Sequence, residues 1–430
     1  MRGGTAVIKL SYSSVVKSII GNRIRNTLLH TSPYREITIL GFPTIMLLTL
    51  FAMGFALEGA QQFSNLAQAF LHGQTNFLHP IGGVGMDPVY YKNKIYWDEG
   101  PFPAILLMPF VALFSLFHVF FYQGYIKFFL FLGILYFVYK LARILSYSTE
   151  DSRILTFGFT LGSVFIGVAG VSSSWFFAQM VTTFLILWGL YEYYTNKRWW
   201  LLGIISGLIV MTRPTAAPLV LFFALELWQQ RAKLSSKLKK LIALGLPILI
   251  ALLLIGGYNY VRFQNPLSDG NNYQVLHEAS AESRSYGIFN PIHIPTNFYS
   301  AFLSAPNPVQ KTSGSWILKF PYLQNNEFGM SLFFTSPYLL YLFTKKWSSF
   351  NKQARNLLVA AGVSCLLVLS YFGIGLDQFG YRYSLDYFPE IFLLFMLVYH
   401  SQRSELSRGM KFVLLASGFA NFYLMWTFIN

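Results

Sequence analysis

The chain has 430 residues, 54% of them hydrophobic and 18% aromatic, and only 11% are charged, where a water-soluble domain carries roughly 25%. That excludes an ordinary soluble globule. The formal net charge of +15 could suggest nucleic acid as a partner, but the basic residues fall in short clusters between apolar runs rather than on one wetted face, so membrane topology explains them better. The one cysteine, Cys365, excludes an internal disulfide and a thiolate metal cluster.

Taken in chain order, the first 36 residues are basic and lack an apolar stretch followed by a small-residue cleavage site, so they do not read as a removable signal peptide. The first apolar run, 37–57, then acts as the insertion signal. A crossing helix needs ~20 mostly apolar residues. The apolar runs read as spans, some of them shorter than this, are 37–57, 126–145, 154–171, 176–194, 199–212, 214–229, 241–260, 331–344, 357–374, 386–400 and 411–428. The chain is thus expected to be an all-α polytopic membrane protein, a single transmembrane domain of about 11 helices over residues 1–430, with two long outer loops, 58–125 and 261–330. Phe102 to Phe121 is equally hydrophobic. Counting it as a span would turn every later basic cluster to the outside, against the rule that Lys and Arg of short loops stay in the cytoplasm. It therefore reads as a helix lying in the outer interface, and its prolines Pro101, Pro103 and Pro109 suit that place. With eleven spans the N-terminus is cytoplasmic and the C-terminus extracytoplasmic, and most of the 32 basic residues fall inside.

Inner loops are short and basic, whereas the outer loops collect acids, histidines and aromatics, so function is sought outside. Glu58, the first polar group after the first span, sits where partial burial would raise its pKa toward that of a general base; the competing role is a capping acid for the next helix. Asp87 follows the glycine-rich segment Gly82-Gly-Val-Gly-Met, which would let backbone approach a ligand, though Asp-Pro also opens turns. His72 and His79 lack a third ligand at metal spacing. Asp98 and Glu99 are adjacent, and are expected to diverge as a solvated turn before Gly100-Pro101. Arg213, between two apolar runs, is either neutralised by a carboxylate such as Asp87 or kept for an anion. Arg382, in Asp377-Gln-Phe-Gly-Tyr-Arg-Tyr-Ser-Leu-Asp386, either pairs with Asp377 or Asp386 or forks onto phosphate oxygens.

Several stretches in order resemble the multi-spanning bacterial glycosyltransferases of the GT-C superfamily, related to protein mannosyltransferases and to the aminoarabinose transferases of lipid A. They are Asn65-Leu-Ala-Gln-Ala-Phe-Leu-His-Gly73, Tyr90-Tyr-Lys-Asn-Lys-Ile-Tyr-Trp97 with Gly100-Pro-Phe-Pro-Ala-Ile-Leu-Leu-Met-Pro109, Arg213-Pro-Thr215, Tyr258-Asn-Tyr-Val-Arg-Phe-Gln-Asn-Pro266, Thr335-Ser-Pro337 and Phe379-Gly-Tyr-Arg-Tyr-Ser-Leu-Asp-Tyr-Phe-Pro389. The resemblance implies a sugar donor carried on a polyprenyl phosphate, transfer at the extracytoplasmic face of the cell membrane, and an acid just after the first span, the position of Glu58. Where such sequences often carry a second acid in the next outer loop, this chain has only Gln179, which leaves Asp87 as the substitute second carboxylate.

The expected roles are then Glu58 and Asp87 as catalytic carboxylates, Arg382 and Arg213 as phosphate-binding cations with Lys94 or Lys92 beside them, and Tyr383, His72 and Gln179 as further substrate-binding groups. The expected partners are the polyprenyl-phosphate sugar, a lipid, glycan or protein acceptor, and membrane lipid, with no nucleic acid. No cofactor is called for, and a divalent metal is left open. The competing class is a transporter or flippase of lipid-linked saccharides, which should place ionisable residues at mid-bilayer; here Glu192, Glu226 and Glu390 lie near span ends, which favours an enzyme.

Overall fold

The computed structural model describes residues 60–81 and 87–429. These residues are mostly helical, and five helices are long and apolar enough to cross a membrane: α3 (Gly124–Ile144), α6 (Ser174–Tyr194), α9 (Leu234–Phe263), α13 (Lys352–Ser370) and α15 (Arg408–Ile429). On α9 the side chains of Ile242, Leu246, Leu249, Leu253 and Leu254 all lie exposed. A helix that turns so continuous an aliphatic stripe outward needs an apolar solvent.

The other apolar runs form shorter or broken pieces. The run 154–171 is two helices, α4 (Thr149–Thr160) and α5 (Phe165–Gly170). Ser163 Oγ accepts from Phe165 N at 3.1 Å, so the side chain replaces a helical partner at the break. Run 199–212 becomes α7 (Trp199–Val210), whose 12 residues span about 18 Å, and run 214–229 becomes a 3₁₀ turn (Pro214–Ala216) followed by α8 (Leu219–Trp228). Run 331–344 is a helical turn (Leu332–Thr335) and a 3₁₀ segment (Pro337–Thr344), because Ser336 precedes a proline and leaves the helical region. Helix α14 (Phe388–Gln402) follows the 3₁₀ turn Arg382–Asp386.

The two long loops carry the remaining structure: α1 (Gln62–Leu71), a hairpin of β1 (Val89–Tyr91) and β2 (Lys94–Tyr96), and α2 (Phe102–Ser115) in the first; α10 (Glu278–Ser285), α11 (Ile294–Phe302), and a second hairpin of β3 (Asn307–Gln310) and β4 (Leu318–Gln324) in the other. The first hairpin turns on Lys92 and Asn93, both at positive φ of 48° and 60°, as a two-residue turn matched to strand twist requires. Helix α2, at 14 residues, reaches about 21 Å, a length comparable to that of α7, so its expected place in the outer interface rests on the distribution of basic residues and not on its length.

Successive helices alternate in direction. The C-terminal ends of α7, α9, α13 and α15, the N-terminal end of α6 and the 3₁₀ turn before α14 meet around one cavity, and the connections at the opposite end carry the basic clusters. There Arg198 forks onto Glu192 at 2.9 and 2.8 Å, and Lys411 meets both Glu150 and Asp151 at 2.8 Å. Between the two ends the helices are welded by aromatic packing, with Phe159 against Phe388 and Phe392 at 5.2 Å and Tyr338 against Phe395 at 5.4 Å.

Candidate active site

A cavity of about 1560 Å³ lies under the two long loops. Its acidic wall is the segment that leaves β2. Trp97 is fully buried, edge-on to Phe63 at 5.9 Å and tilted against Trp175 at 5.7 Å. Its carbonyl accepts from Arg262 NH1 at 2.6 Å, and Arg262 is itself buried over the Tyr258 ring at 3.9 Å. On the other side Gly100 is pressed against the end of α7: a Cβ there would stand 2.1 Å from the Met211 carbonyl oxygen. Pinned at both ends, Asp98 and Glu99 line the cavity. The expected solvated turn is not found, because tertiary contacts on both flanks turn this pair inward. Gly100→Ala should therefore push this strand off α7 and destabilise the protein by about 1–3 kcal/mol, the usual range for overpacking, read as a lowered unfolding temperature in detergent.

The basic wall is built from two arginines. Arg213 leaves α7 in extended backbone and meets Asp386 bidentately, Nε to Oδ1 at 2.7 Å and NH2 to Oδ2 at 3.0 Å. Thr215 Oγ1 donates to the same carboxylate at 2.5 Å, and Glu99 stands 4.0 Å from Arg213 NH1. The partner is thus Asp386 and not Asp87. With Asp386 so engaged, Arg382 is not its ion-pair partner. Arg382 is 6% exposed, its guanidinium lies 5.1 Å from the Phe176 ring and 4.9 Å from the Tyr383 ring, and its buried Nε and NH1 have no hydrogen-bond partner among the described residues. Its backbone is held by Gln378, whose Oε1 accepts from Arg382 N at 3.3 Å while its Nε2 donates to Phe328 O at 2.7 Å.

Asp87, which accepts a hydrogen bond from the Trp175 side chain, lines the cavity with these groups; burial lifts its pKa and Arg382 pulls it back. Asp98 is raised well above the usual range by burial and by the neighbouring carboxylates Glu99 and Asp87. Its Oδ2 accepts from Gln274 Nε2 at 2.9 Å, and Gln274 Oε1 in turn accepts from Arg284 at 2.8 Å, which ties the first long loop to the second. Burial raises Glu99 to about 7, against the pull of Arg213 and Arg382. A carboxyl raised on folding binds more protons folded than unfolded between its two pKa values, so stability falls as pH rises through that window. Thermal unfolding followed from pH 5 to 8 should show this fall, and Glu99→Gln should remove the part between about 4.5 and 7 that Glu99 contributes, leaving that of Asp98 and Asp87.

Among the expected site residues, Asp87, Arg213, Arg382 and Tyr383 converge on the cavity. His72 does not: it is exposed at the end of α1, its ring bonded to Gln68 O at 2.8 Å. Lys94 is exposed on the first hairpin, and Gln179 is fully buried within α6 without lining the cavity. Glu58 lies outside the described residues. Residues not foreseen are Asp98 and Glu99 in the wall, Asp386 as the partner of Arg213, Trp175, and the Gln274–Arg284 link. Among the described residues, no three His, Cys, Asp or Glu side chains are grouped to hold a metal ion.

No protein family profile and no curated protein matches the chain. Two solved structures are similar in outline. The apo oligosaccharyltransferase of Archaeoglobus fulgidus shows 13% identity over 92% of this chain and 56% of its own, at a TM-score of 0.43. The oligosaccharyltransferase AglB of the same organism, in complex with an inhibitory peptide and a dolichol-phosphate, shows 14% identity over 89% of this chain and 55% of its own, at a TM-score of 0.41. The chain thus spans just over half the length of either.

Proposed function

We propose that this protein is an inverting glycosyltransferase of the GT-C type that takes a sugar from a polyprenyl-phosphate donor and passes it to a lipid, glycan or protein acceptor. In this reading the chain crosses a cell membrane eleven times, its N-terminus is cytoplasmic, α2 lies in the outer interface, and the cavity opens on the extracytoplasmic side. One observation carries the proposal: a buried guanidinium, that of Arg382, presents N–H groups unpartnered among the described residues in a cavity whose other wall is acidic.

The chemistry needs those two walls. An acceptor hydroxyl attacks the anomeric carbon and its proton passes to a carboxylate. The bond from that carbon to the phosphate oxygen breaks, and its electron pair stays on the phosphate. The phosphodiester monoanion becomes a monoester with an additional negative charge, so a fixed cation that gains interaction as the bond breaks lowers the barrier. Arg382 supplies that cation, Tyr383 flanks it, and Arg213, already paired, shapes the wall. Glu58 or Asp87 receives the proton. A single displacement inverts the anomeric configuration.

The test is direct. Purified protein given a polyprenyl-phosphate sugar and a membrane extract of acceptors should release polyprenyl phosphate and form a product of inverted configuration. Movement of intact donor between leaflets, with no bond broken, would identify a carrier instead.

A further inference from the structure

Apart from the cavity, the largest concentration of exposed apolar side chains in the second long loop is the β3–β4 hairpin. Trp316 at its tip is 100% exposed, and Ile317, Phe320 and Tyr322 are 62%, 63% and 55% exposed. From residue 307 to 324 it carries Lys311 and Lys319 and no acid. Bare strand edges with this much apolar surface are an aggregation hazard in water.

The hairpin does not stand away from the helices. Asn325 N donates to Thr427 Oγ1 at 3.2 Å, the Phe320 ring lies 5.7 Å from that of Trp426, and the Tyr423 hydroxyl donates to the Pro321 carbonyl. Thr427 is nearer the cavity end of α15 and Tyr423 is one turn further from it. Strand β4, followed from residue 325 back to 321, therefore runs down the outside of α15 toward the bilayer region. It lies on the stripe of α15 that also exposes Phe412, Phe419 and Tyr423, so the hairpin shares the solvent of an apolar helix. Its unpaired strand edges bar it from hydrocarbon depth, where backbone polar groups find no partner. The headgroup layer satisfies both demands: Trp and Tyr settle there, and lysines reach lipid phosphates from apolar stems.

We propose that the β3–β4 hairpin is a bilayer anchor seated in the headgroup layer of an anionic membrane, with Trp316, Ile317 and Phe320 at the acyl boundary and Lys311 and Lys319 on lipid phosphates. Its root bears on the cavity, since Asn325 Nδ2 donates at 3.0 Å to the carbonyl of Gln378, the residue that holds the Arg382 backbone. The anchor thus sets the height of that loop over the membrane. The hairpin takes the same seat whichever reaction the cavity performs.

The probe is Trp316 itself. Wild-type protein and Trp316→Phe are reconstituted in bilayers of phosphatidylglycerol and phosphatidylcholine, with and without bromine on the acyl chains, and their emission spectra are subtracted. Trp316 makes no buried contact, so the variant keeps the fold, which an unchanged unfolding temperature checks. The difference emission is expected to lose most of its intensity to brominated lipid, more to shallow than to deep bromines, and little to aqueous iodide. Quenching by iodide instead would place the tip in water, and quenching by neither would place it under another protein; either result overturns the anchor.

Discussion

Replacing Arg382 by Gln is expected to lower sugar transfer about 100- to 1000-fold, the loss of about 2.7–4 kcal/mol seen when one preorganised donor to a developing oxyanion is removed. The structure makes this a sharp expectation, because the side chain has little structural employment. Among the described residues its guanidinium makes no ion pair, and Nε and NH1 are buried without partners between the Phe176 and Tyr383 rings. Arg382→Gln should therefore leave the unfolding temperature close to that of the parent while the rate collapses. Arg382→Lys restores the charge without the planar fork and should fall between the two. Initial rates with a polyprenyl-phosphate sugar, measured beside thermal unfolding in the same detergent, separate these outcomes. A near-normal rate in the Gln variant would move the phosphate site elsewhere.

Four of the expected site residues, Asp87, Arg213, Arg382 and Tyr383, line the cavity. Arg213 and Arg382 were legible because an arginine between apolar runs needs a partner or a ligand. Which one it has was not legible: Arg213 meets a carboxylate 173 positions away, and nothing local in Met-Thr-Arg-Pro-Thr announces Asp386. The inward turn of Asp98 and Glu99 is hidden for the same reason. Adjacent acids before Gly-Pro look like a solvated turn until Arg262 and Met211, both distant in sequence, clamp the backbone on either side. His72 and Lys94 show the converse, since an outer-loop position alone does not bring a polar residue to the cavity. At the level of the fold, hydrophobic runs located the helices well. They could not show that 154–171 is interrupted at Gly162-Ser163 or that 331–344 is largely 3₁₀, because such breaks leave composition unchanged and depend on single side chains competing with the backbone.

Asp386→Asn should cost about 3–5 kcal/mol of stability, the loss typical when one member of a buried ion pair is neutralised. The Asp386 side chain is fully buried and accepts from Arg213 Nε and NH2 and from Thr215 Oγ1. An asparagine keeps the shape but turns an N–H₂ toward one of these donors and leaves the Arg213 charge with Glu99, 4.0 Å away, as its nearest carboxylate. Two measurements distinguish this from a mere packing defect. The double variant Arg213→Met with Asp386→Leu removes both charges and should recover most of the lost unfolding temperature, since a buried pair exchanged for apolar groups of similar volume is often neutral. The single variant should also shift the pH dependence: with Arg213 released to Glu99, that carboxyl falls from about 7 toward the ordinary range, and the loss of stability between pH 5 and 7 shrinks. An Asp386→Asn protein that keeps both its unfolding temperature and the parental pH profile would show that the Arg213 charge is neutralised by another group.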